Sequence, residues 1–221
     1  MHARKDNAKT QFDSWSRWYD GSLLQPIFFR PTQEAIIELL NDVTTKTSVL
    51  DVGCGTGRLA EQLLDSSPAT VIGVDLSPGM VGQAQLRCER FGKRGAFIIG
   101  DSEHLPVASN SVDVVTCSHS FHHYPNQLAV MREFARVLKP HGTLLLADAN
   151  RDQVWGWALY DGFVNWLEGG VQHCSAARFR ELLDAAGFDV VSQTHGGWIM
   201  PWMINRAVCR VVAAEAPRRA A

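Results

Sequence analysis

Short apolar runs alternate with segments of helical periodicity along most of the chain. The runs are continuous rather than alternately polar and apolar, which is typical of strands buried on both faces of a parallel sheet. The predicted strands are 47–53, 69–75, 95–101, 111–118 and 142–149, with two more at 188–194 and 206–214. The predicted helices between and after them are 58–66, 77–92, 125–140 and 175–188. Strands that alternate with helices predict an α/β fold with helices on both faces of the sheet.

Capping residues mark the ends of two of these helices. Ser77 precedes Pro78, which suits an N-cap followed by the first helical position. Ser175 is the expected N-cap of the helix predicted over 175–188, and Gly187 follows the last turn of that helix. Residues 12–40 also have a helical pattern.

The distribution of tryptophan divides the chain into a core and peripheral segments. All seven tryptophans lie outside residues 31–150. We expect a single domain over residues 1–221, in four parts: a helical N-terminal cap (1–46), a ligand-binding core (47–149), an inserted cap (150–174) and a C-terminal helix with strands (175–221). The tryptophans either attach peripheral helices to the sheet or line an aromatic lid over a pocket at the carboxyl ends of the strands.

Composition and charge exclude several classes of protein. The chain has 221 residues and a formal net charge of -2, which disfavours a polyanion such as nucleic acid as partner. Its five cysteines include no C-x-x-C pair, so neither a disulfide framework nor a zinc motif is indicated. The N-terminus lacks an apolar signal region, and no run of about 18 apolar residues occurs. We therefore expect a cytoplasmic protein.

The stretch VLDVGCGTG (49–57) predicts a glycine turn between a strand and a helix. Glycine suits a tight turn that a ligand approaches closely. Asp75 ends the next strand, where a carboxylate can accept hydrogen bonds from both hydroxyls of a ribose. The dinucleotide fingerprint G-x-G-x-x-G would need a third glycine at Arg58, so the pattern weakens the case for an NAD enzyme. It favours a cofactor of the adenosine type.

Five motifs in order resemble those of class I S-adenosylmethionine-dependent methyltransferases. They are VLDVGCGTG, VIGVDLSPGM, GDSEHLPV, SVDVVTCSHSFHHYPN and FARVLKPHGTLLLAD, spread over residues 47–149. Within that class the chain is similar to the small-molecule type grouped with ubiquinone and menaquinone methyltransferases. The resemblance implies a Rossmann-like, doubly wound, seven-stranded sheet whose last strand is antiparallel. It also implies S-adenosyl-L-methionine as cofactor and S-adenosyl-L-homocysteine as product.

The resemblance also implies roles for individual residues. The glycines would shape the loop against the methionyl end of the cofactor, and Asp75 would hold the ribose. Asp101 would face the adenine amino group, and Ser118 would line the floor near the sulfonium. The complete set of expected cofactor-binding residues is Tyr19, Asp51, Gly53, Cys54, Gly55, Gly57, Asp75, Leu76, Met80, Asp101, Ser102 and Ser118.

Histidines cluster where the resemblance implies the acceptor pocket. In HSFHHYP (119–125), His119 and His123 are candidates for a catalytic base, and His122 for an acceptor contact. Packing residues would have the same pattern. Histidines so close together also match metal-ligand spacing, but a zinc site needs a third or fourth ligand, so we predict no metal.

The expected acceptor is a small, apolar or aromatic molecule, methylated by in-line displacement mainly through positioning. Candidate acceptor contacts are Trp15, Trp18, His122, Trp157, His195 and Trp198. An exposed version of this apolar surface would instead contact a membrane peripherally. The methylated atom (O, N, C or S) and the oligomeric state stay open.

Three other functions remain possible on these residues. One is a membrane-associated lipid or quinone methyltransferase. Another is a binding module for S-adenosylmethionine without catalysis, and the third is an NAD-linked dehydrogenase. The motif S-H-S-F (118–121) differs from the Asn/Asp-Pro-Pro-aromatic motif, so methylation of an exocyclic nucleobase amine is disfavoured.

Overall fold

A computed structural model describes residues 29–40, 44, 46–153, 156, 171–198 and 200–210. Its helices are α1 (Arg30–Glu38), α2 (Arg58–Ser66), α3 (Pro78–Cys88), α4 (Gln127–Val137) and α5 (Ala176–Ala185). Its strands are β1 (Ser48–Val52), β2 (Thr70–Asp75), β3 (Gly95–Ile99), β4 (Val112–Ser118), β5 (Leu138–Ala149), β6 (Phe188–Gly196) and β7 (Trp202–Cys209). Short 3-10 segments cover Glu89–Arg94 and Phe121–His123.

The strands form one seven-stranded sheet in the order β3-β2-β1-β4-β5-β7-β6. The first five strands are mutually parallel, and β7 is antiparallel to both β5 and β6. The predicted doubly wound α/β sheet with an antiparallel last strand is therefore confirmed. The strand order reverses between β1 and β4, and open α/β sheets bind ligands at the carboxyl ends of strands beside such a reversal.

Apolar side chains pack on both faces of the sheet, which explains the continuous apolar runs in the sequence. One buried cluster joins the sheet to α4 and α5 and includes Phe134 and Phe179. The other joins it to α1, α2 and α3 and includes Ile36, Leu63 and Ala84. The two clusters fix the helices, and with them the loops at the carboxyl edge of the sheet.

Local signals correctly located two helix starts. Ser77 accepts a hydrogen bond from the Met80 backbone N–H at 3.1 Å, and Ser175 accepts one from Arg178 at 3.1 Å. Gly187 follows α5 with φ of +88°, which suits glycine.

Several boundaries differ from the sequence-based prediction, and the helix predicted over 77–92 ends at Cys88. The helix predicted over 125–140 ends at Val137, and β5 begins at Leu138 instead of residue 142. Pro140 disfavours a helix interior, and the Lys139 ammonium lies 2.7 Å from the Asp113 carboxylate. The prediction of a last strand at 206–214 was wrong at its start, because β7 begins four residues earlier, at Trp202. Its buried Asn205 is satisfied by Gln193 of β6, at 2.7 Å.

Within the described residues, the longest helices are too short and too polar to cross a bilayer. The proposed division of the chain into caps and core stays a prediction, since much of both caps lies outside the described residues.

Candidate cofactor-binding and active site

A cleft opens at the carboxyl edge of the sheet, over the loops that follow β1, β2, β3 and β4. It encloses about 1170 Å³ of empty space, counting the part open to solvent. Ten of the expected cofactor-binding residues line it: Asp51, Gly53, Cys54, Gly55, Asp75, Leu76, Met80, Asp101, Ser102 and Ser118. The fold thus brings together side chains from four separate loops.

The glycine loop after β1 has a backbone that few other residues could adopt. Gly53 and Gly55 have φ of +70° and +53°. A Cβ on Gly53 would overlap the Ser120 side chain and lie 2.8 Å from the Tyr124 hydroxyl, whereas one on Gly55 would meet nothing within 4 Å. The loop therefore presents an open backbone surface to the cleft at Gly55.

Gly57 has a different reason to be glycine. Its φ is +78°, and a Cβ would approach the Cβ of Ala84 in α3 to 2.9 Å. Gly57 is outside the cleft lining, and it permits α2 and α3 to pack closely. Gly57 therefore has a packing role, and its expected contact with the cofactor stays a prediction.

Asp75 connects the glycine loop to the start of α3. Its carboxylate accepts a hydrogen bond from the Gly55 N–H at 2.9 Å and one from the Ser77 N–H at 2.9 Å. A carboxylate has about four acceptor positions, so these bonds leave capacity for the hydroxyls of a ligand. The side chain is half-buried and lines the cleft.

Asp51 is a buried carboxylate beneath the glycine loop. Burial raises its pKa to about 7. The Thr116 hydroxyl, which donates to it at 2.8 Å, lowers the pKa, and the negative charge of Asp75 raises it further. A carboxylate that is costly to ionise in the free protein becomes easier to ionise beside a cation, so Asp51 suits the cationic part of a ligand.

Replacing Asp51 by asparagine is expected to stabilise the ligand-free protein at pH 8. The pKa of Asp51 is about 7 in the folded protein and 3.8 in the reference state, so ionisation disfavours folding as pH rises through this window. The free energy of unfolding should rise by up to about 4 kcal/mol at pH 8, and this gain should vanish near pH 4. Urea unfolding at the two pH values measures it.

Asp113→Asn is the matched control for this prediction. Although burial opposes the shift, the hydrogen bond from Lys139 lowers the pKa of Asp113. Its charge therefore favours folding above pH 4, and its neutralisation should lower stability at pH 8. A loss of stability in both variants would contradict the assignment for Asp51.

The far end of the cleft is formed by the start of α3 and by the loop that follows β3. Met80 is buried, and Met80 and Leu76 both line the cleft. The Asp101 carboxylate accepts a hydrogen bond from the Glu103 N–H at 3.0 Å, which holds the loop in place. An apolar wall with a carboxylate at its rim suits a flat heterocycle that carries an amino group.

The loop after β4 adds residues that the sequence-based assignment missed. Ser120 donates to the Val52 carbonyl at 3.2 Å and lies 3.0 Å from the Tyr124 hydroxyl. Burial raises the pKa of Tyr124 well above its ordinary value, so its phenol stays protonated.

The cleft lining also contains residues that the sequence-based assignment did not include. They are Phe29, Gln33, Val52, Thr56, Arg58, Leu59, Val74, Ser77, Gly100, Ser120, Tyr124 and Pro125. No sequence signal distinguished them from packing residues.

His119 lines the cleft in a strained conformation. Its φ is +53°, a region that costs a residue with a side chain about 1–2 kcal/mol. Its Nε2 lies 2.6 Å from the Thr32 hydroxyl, which donates to the Phe29 carbonyl at 2.9 Å. Because a hydroxyl has one proton, Nε2 carries the hydrogen in this contact, and the lone pair is on Nδ1. Burial lowers the pKa of His119 to about 4, so the imidazole is neutral at pH 7.

Of the next two histidines, only His123 lines the cleft. Burial lowers the pKa of His123 well below its ordinary value. His122 turns away from the cleft and places Nδ1 2.6 Å from the Asp148 carboxylate. Burial alone would raise the pKa of Asp148, but the charge and hydrogen bond of His122 lower it below its ordinary value. His122 therefore lies outside the cleft lining, and its expected contact with the acceptor stays a prediction.

Of the remaining expected acceptor contacts, the two that the structure describes lie outside the cleft lining. His195 lies in β6, with its Nδ1 3.1 Å from the Asn150 amide, and Trp198 is 91% exposed in the β6–β7 turn. The other expected acceptor contacts, Trp15, Trp18 and Trp157, lie outside the described residues, as does the expected cofactor contact Tyr19.

The chain is similar in sequence to known methyltransferases. The methyltransferase domain family matches residues 50–146. Methyltransferase GfsG from Streptomyces halstedii is 34% identical over 186 residues, which cover 80% of this chain and 66% of that protein. A ubiquinone biosynthesis O-methyltransferase from Idiomarina loihiensis is 31% identical over 188 residues, which cover 80% of this chain and 76% of that protein. The chain spans about half to two thirds of the length of several other curated relatives.

The fold has many solved counterparts. The crystal structure of a SAM-dependent methyltransferase from Thermotoga maritima superposes with a TM-score of 0.73 at 20% identity, over 91% of this chain and 99% of that one. A likeness at this identity shows the fold, and the sequence relatives show the family. The chain belongs to the class I S-adenosylmethionine-dependent methyltransferases, a family whose cofactor is S-adenosyl-L-methionine.

Proposed function

We propose that this protein transfers a methyl group from S-adenosyl-L-methionine to an oxygen of a small, predominantly apolar or aromatic acceptor. The observation that carries the proposal is the cleft in which the open backbone of Gly55, the Asp75 carboxylate and the Asp101 carboxylate face one space. The similarity to O-methyltransferases of ubiquinone biosynthesis supports oxygen as the methylated atom.

The residues present fit this cofactor. Asp75 offers acceptor positions for the ribose hydroxyls, and Asp101 offers an acceptor for the adenine amino group. The glycine loop leaves room at Gly55 for the methionyl end, and Asp51 supplies a buried negative charge for its ammonium group. When bound, the cofactor supplies a methyl group on a positively charged sulfur.

The chain contributes mainly orientation. Phe29, Tyr124 and Pro125 give the β4 side of the cleft an aromatic and apolar wall against which a flat acceptor can pack. Positioning of this kind can lower the activation free energy by up to about 7–11 kcal/mol, whereas a general base typically lowers it by about 3–5.5 kcal/mol. We assign His119 and His123 as neutral contacts of the acceptor hydroxyl, with a proton-accepting role secondary to positioning.

The rate at saturating cofactor and acceptor should be flat between pH 6 and pH 8. Burial lowers the pKa of His119 to about 4 and that of His123 well below 6.5, so both stay neutral over this interval. Measurement of kcat across this interval checks the expectation. A limb centred near pH 6.5 that disappears in His123→Gln would instead identify His123 as an exposed base.

Isotope-labelled methyl transfer to a matched panel of acceptors tests the proposed function. The panel pairs a catechol with its monoamine analogue and its monothiol analogue, and adds a quinol in phospholipid vesicles, an RNA and a protein extract. The proposal expects label in the catechol or the quinol. Label confined to the amine, the thiol or a macromolecule would contradict it. Label in the vesicle quinol but not in the catechol would still support oxygen as the methylated atom, and it would indicate a membrane-associated lipid or quinone methyltransferase. Asp75→Asn is the control for labelling that depends on the cleft.

A further inference from the structure

Three buried side chains that can ligate a metal meet behind the β4 loop. They are His122 in the turn after β4, Asp148 at the end of β5 and His173 just before α5. Each offers one ligand atom, and these atoms all lie within 4.8 Å of one another. The Nδ1 of His122 lies 2.6 Å from an oxygen of Asp148, and the rings of His122 and His173 have their centroids 4.6 Å apart.

Hydrogen bonds hold the Asp148 side chain and the backbones of His122 and His173 in place. Asp148 accepts from the His122 N–H at 3.0 Å and from the Ala149 N–H at 2.7 Å. The carbonyl of His122 accepts from the Gln172 N–H at 2.8 Å, and that of His173 accepts from the Arg151 guanidinium at 3.1 Å. These bonds keep the three segments together, so an ion needs to displace only the contact between His122 and Asp148.

We propose that His122, Asp148 and His173 form a binding site for one divalent transition-metal ion. Two imidazoles and one carboxylate are a donor set typical of zinc, iron, cobalt or nickel, whereas magnesium and calcium require mostly oxygen ligands. On binding, the proton that Nδ1 of His122 shares with Asp148 passes to solvent, Nε2 stays protonated, and the Nδ1 lone pair and the carboxylate ligate the ion. Three ligands leave further coordination positions for water.

The proposed metal site lies next to the cleft, so a bound ion would affect the loop that lines it. The ring of His122 lies against that of His123, with centroids 4.2 Å apart, and His123 lines the cleft. An ion at this point would tie the β4 loop to the end of β5 and to the segment before α5. The sequence-based prediction of no metal considered only neighbouring histidines, and the fold adds two ligands from distant segments.

Zinc binding to the tag-free full-length protein tests the site directly. The chelator-treated protein is dialysed against zinc chloride, and bound zinc is measured by mass spectrometry, with cobalt(II) absorption as an independent signature of the ligands. The test variants are Asp148→Asn and His173→Gln, each checked for folding by circular dichroism. His104→Gln is the matched control, since the His104 side chain is 83% exposed and outside the cluster.

The proposal expects about one zinc per chain in the wild type and in His104→Gln, with affinity reduced about 10-fold or more in both cluster variants. Less than a tenth of an equivalent in the wild type would overturn it, as would unchanged affinity in the folded cluster variants. If a cluster variant fails to fold, the wild-type stoichiometry and the cobalt spectrum decide the question. The readout is independent of methyl transfer, so its failure leaves the proposed function intact.

Discussion

Gly53→Ala should destabilise the protein and remove most of its affinity for S-adenosyl-L-homocysteine. A side chain at φ of +70° costs about 1–2 kcal/mol, and overpacking a filled site typically adds about 1–3 kcal/mol. The new Cβ would overlap Ser120, which cannot move without losing its bonds to Val52 and Tyr124. The loop must therefore shift, and its backbone can no longer support the ligand. Urea unfolding and calorimetric titration measure the two effects.

Gly82→Ala is the control for this result. Gly82 lies within α3, and a Cβ there would meet nothing within 4 Å. Alanine at a compatible helical position stabilises a protein by about 0.4–1 kcal/mol, so this variant should gain stability and bind the ligand normally. Equal behaviour of the two variants would mean that Gly53 is not constrained by its turn.

Asp75→Ala should weaken binding of S-adenosyl-L-homocysteine about 10- to 150-fold, because hydrogen bonds to a charged group contribute about 1.5–3 kcal/mol. The same change removes the acceptor for the Gly55 and Ser77 N–H groups, so part of the loss would reflect a looser loop. Asp75→Asn separates the contributions, since its amide oxygen can still accept one of these bonds.

Asp184→Ala provides the background for this measurement. Asp184 is an exposed carboxylate of α5 that pairs with Arg210, away from the cleft lining. Its removal should leave affinity unchanged. If Asp75→Ala binds S-adenosyl-L-homocysteine as tightly as Asp184→Ala does, the cofactor does not contact β2 as proposed.

Much of the fold could be predicted because the signals are local. Continuous apolar runs identify buried parallel strands, and a serine before a proline identifies the start of α3. The cleft could be anticipated for the same reason, since the carboxyl ends of β1, β2, β3 and β4 must meet at one edge. Asp51, Gly55, Asp75 and Asp101 therefore lie together as expected.

The contacts that could not be predicted from the sequence depend on packing between distant segments. Gly57 lies in the same motif as Gly53 and Gly55, but its neighbour is Ala84 of another helix. His122 and His123 are adjacent in sequence, yet the 3-10 turn directs one to Asp148 and the other to the cleft. Side-chain direction in an irregular loop is set by tertiary contacts, which hydropathy patterns do not encode.

A crystal structure with S-adenosyl-L-homocysteine tests the central claim most directly. The account predicts ribose hydroxyls on the Asp75 carboxylate, the adenine between Met80 and Asp101, and the homocysteine end against Gly55 and Asp51. A ligand bound away from the glycine loop, or one whose ribose hydroxyls do not contact the Asp75 carboxylate, would contradict it.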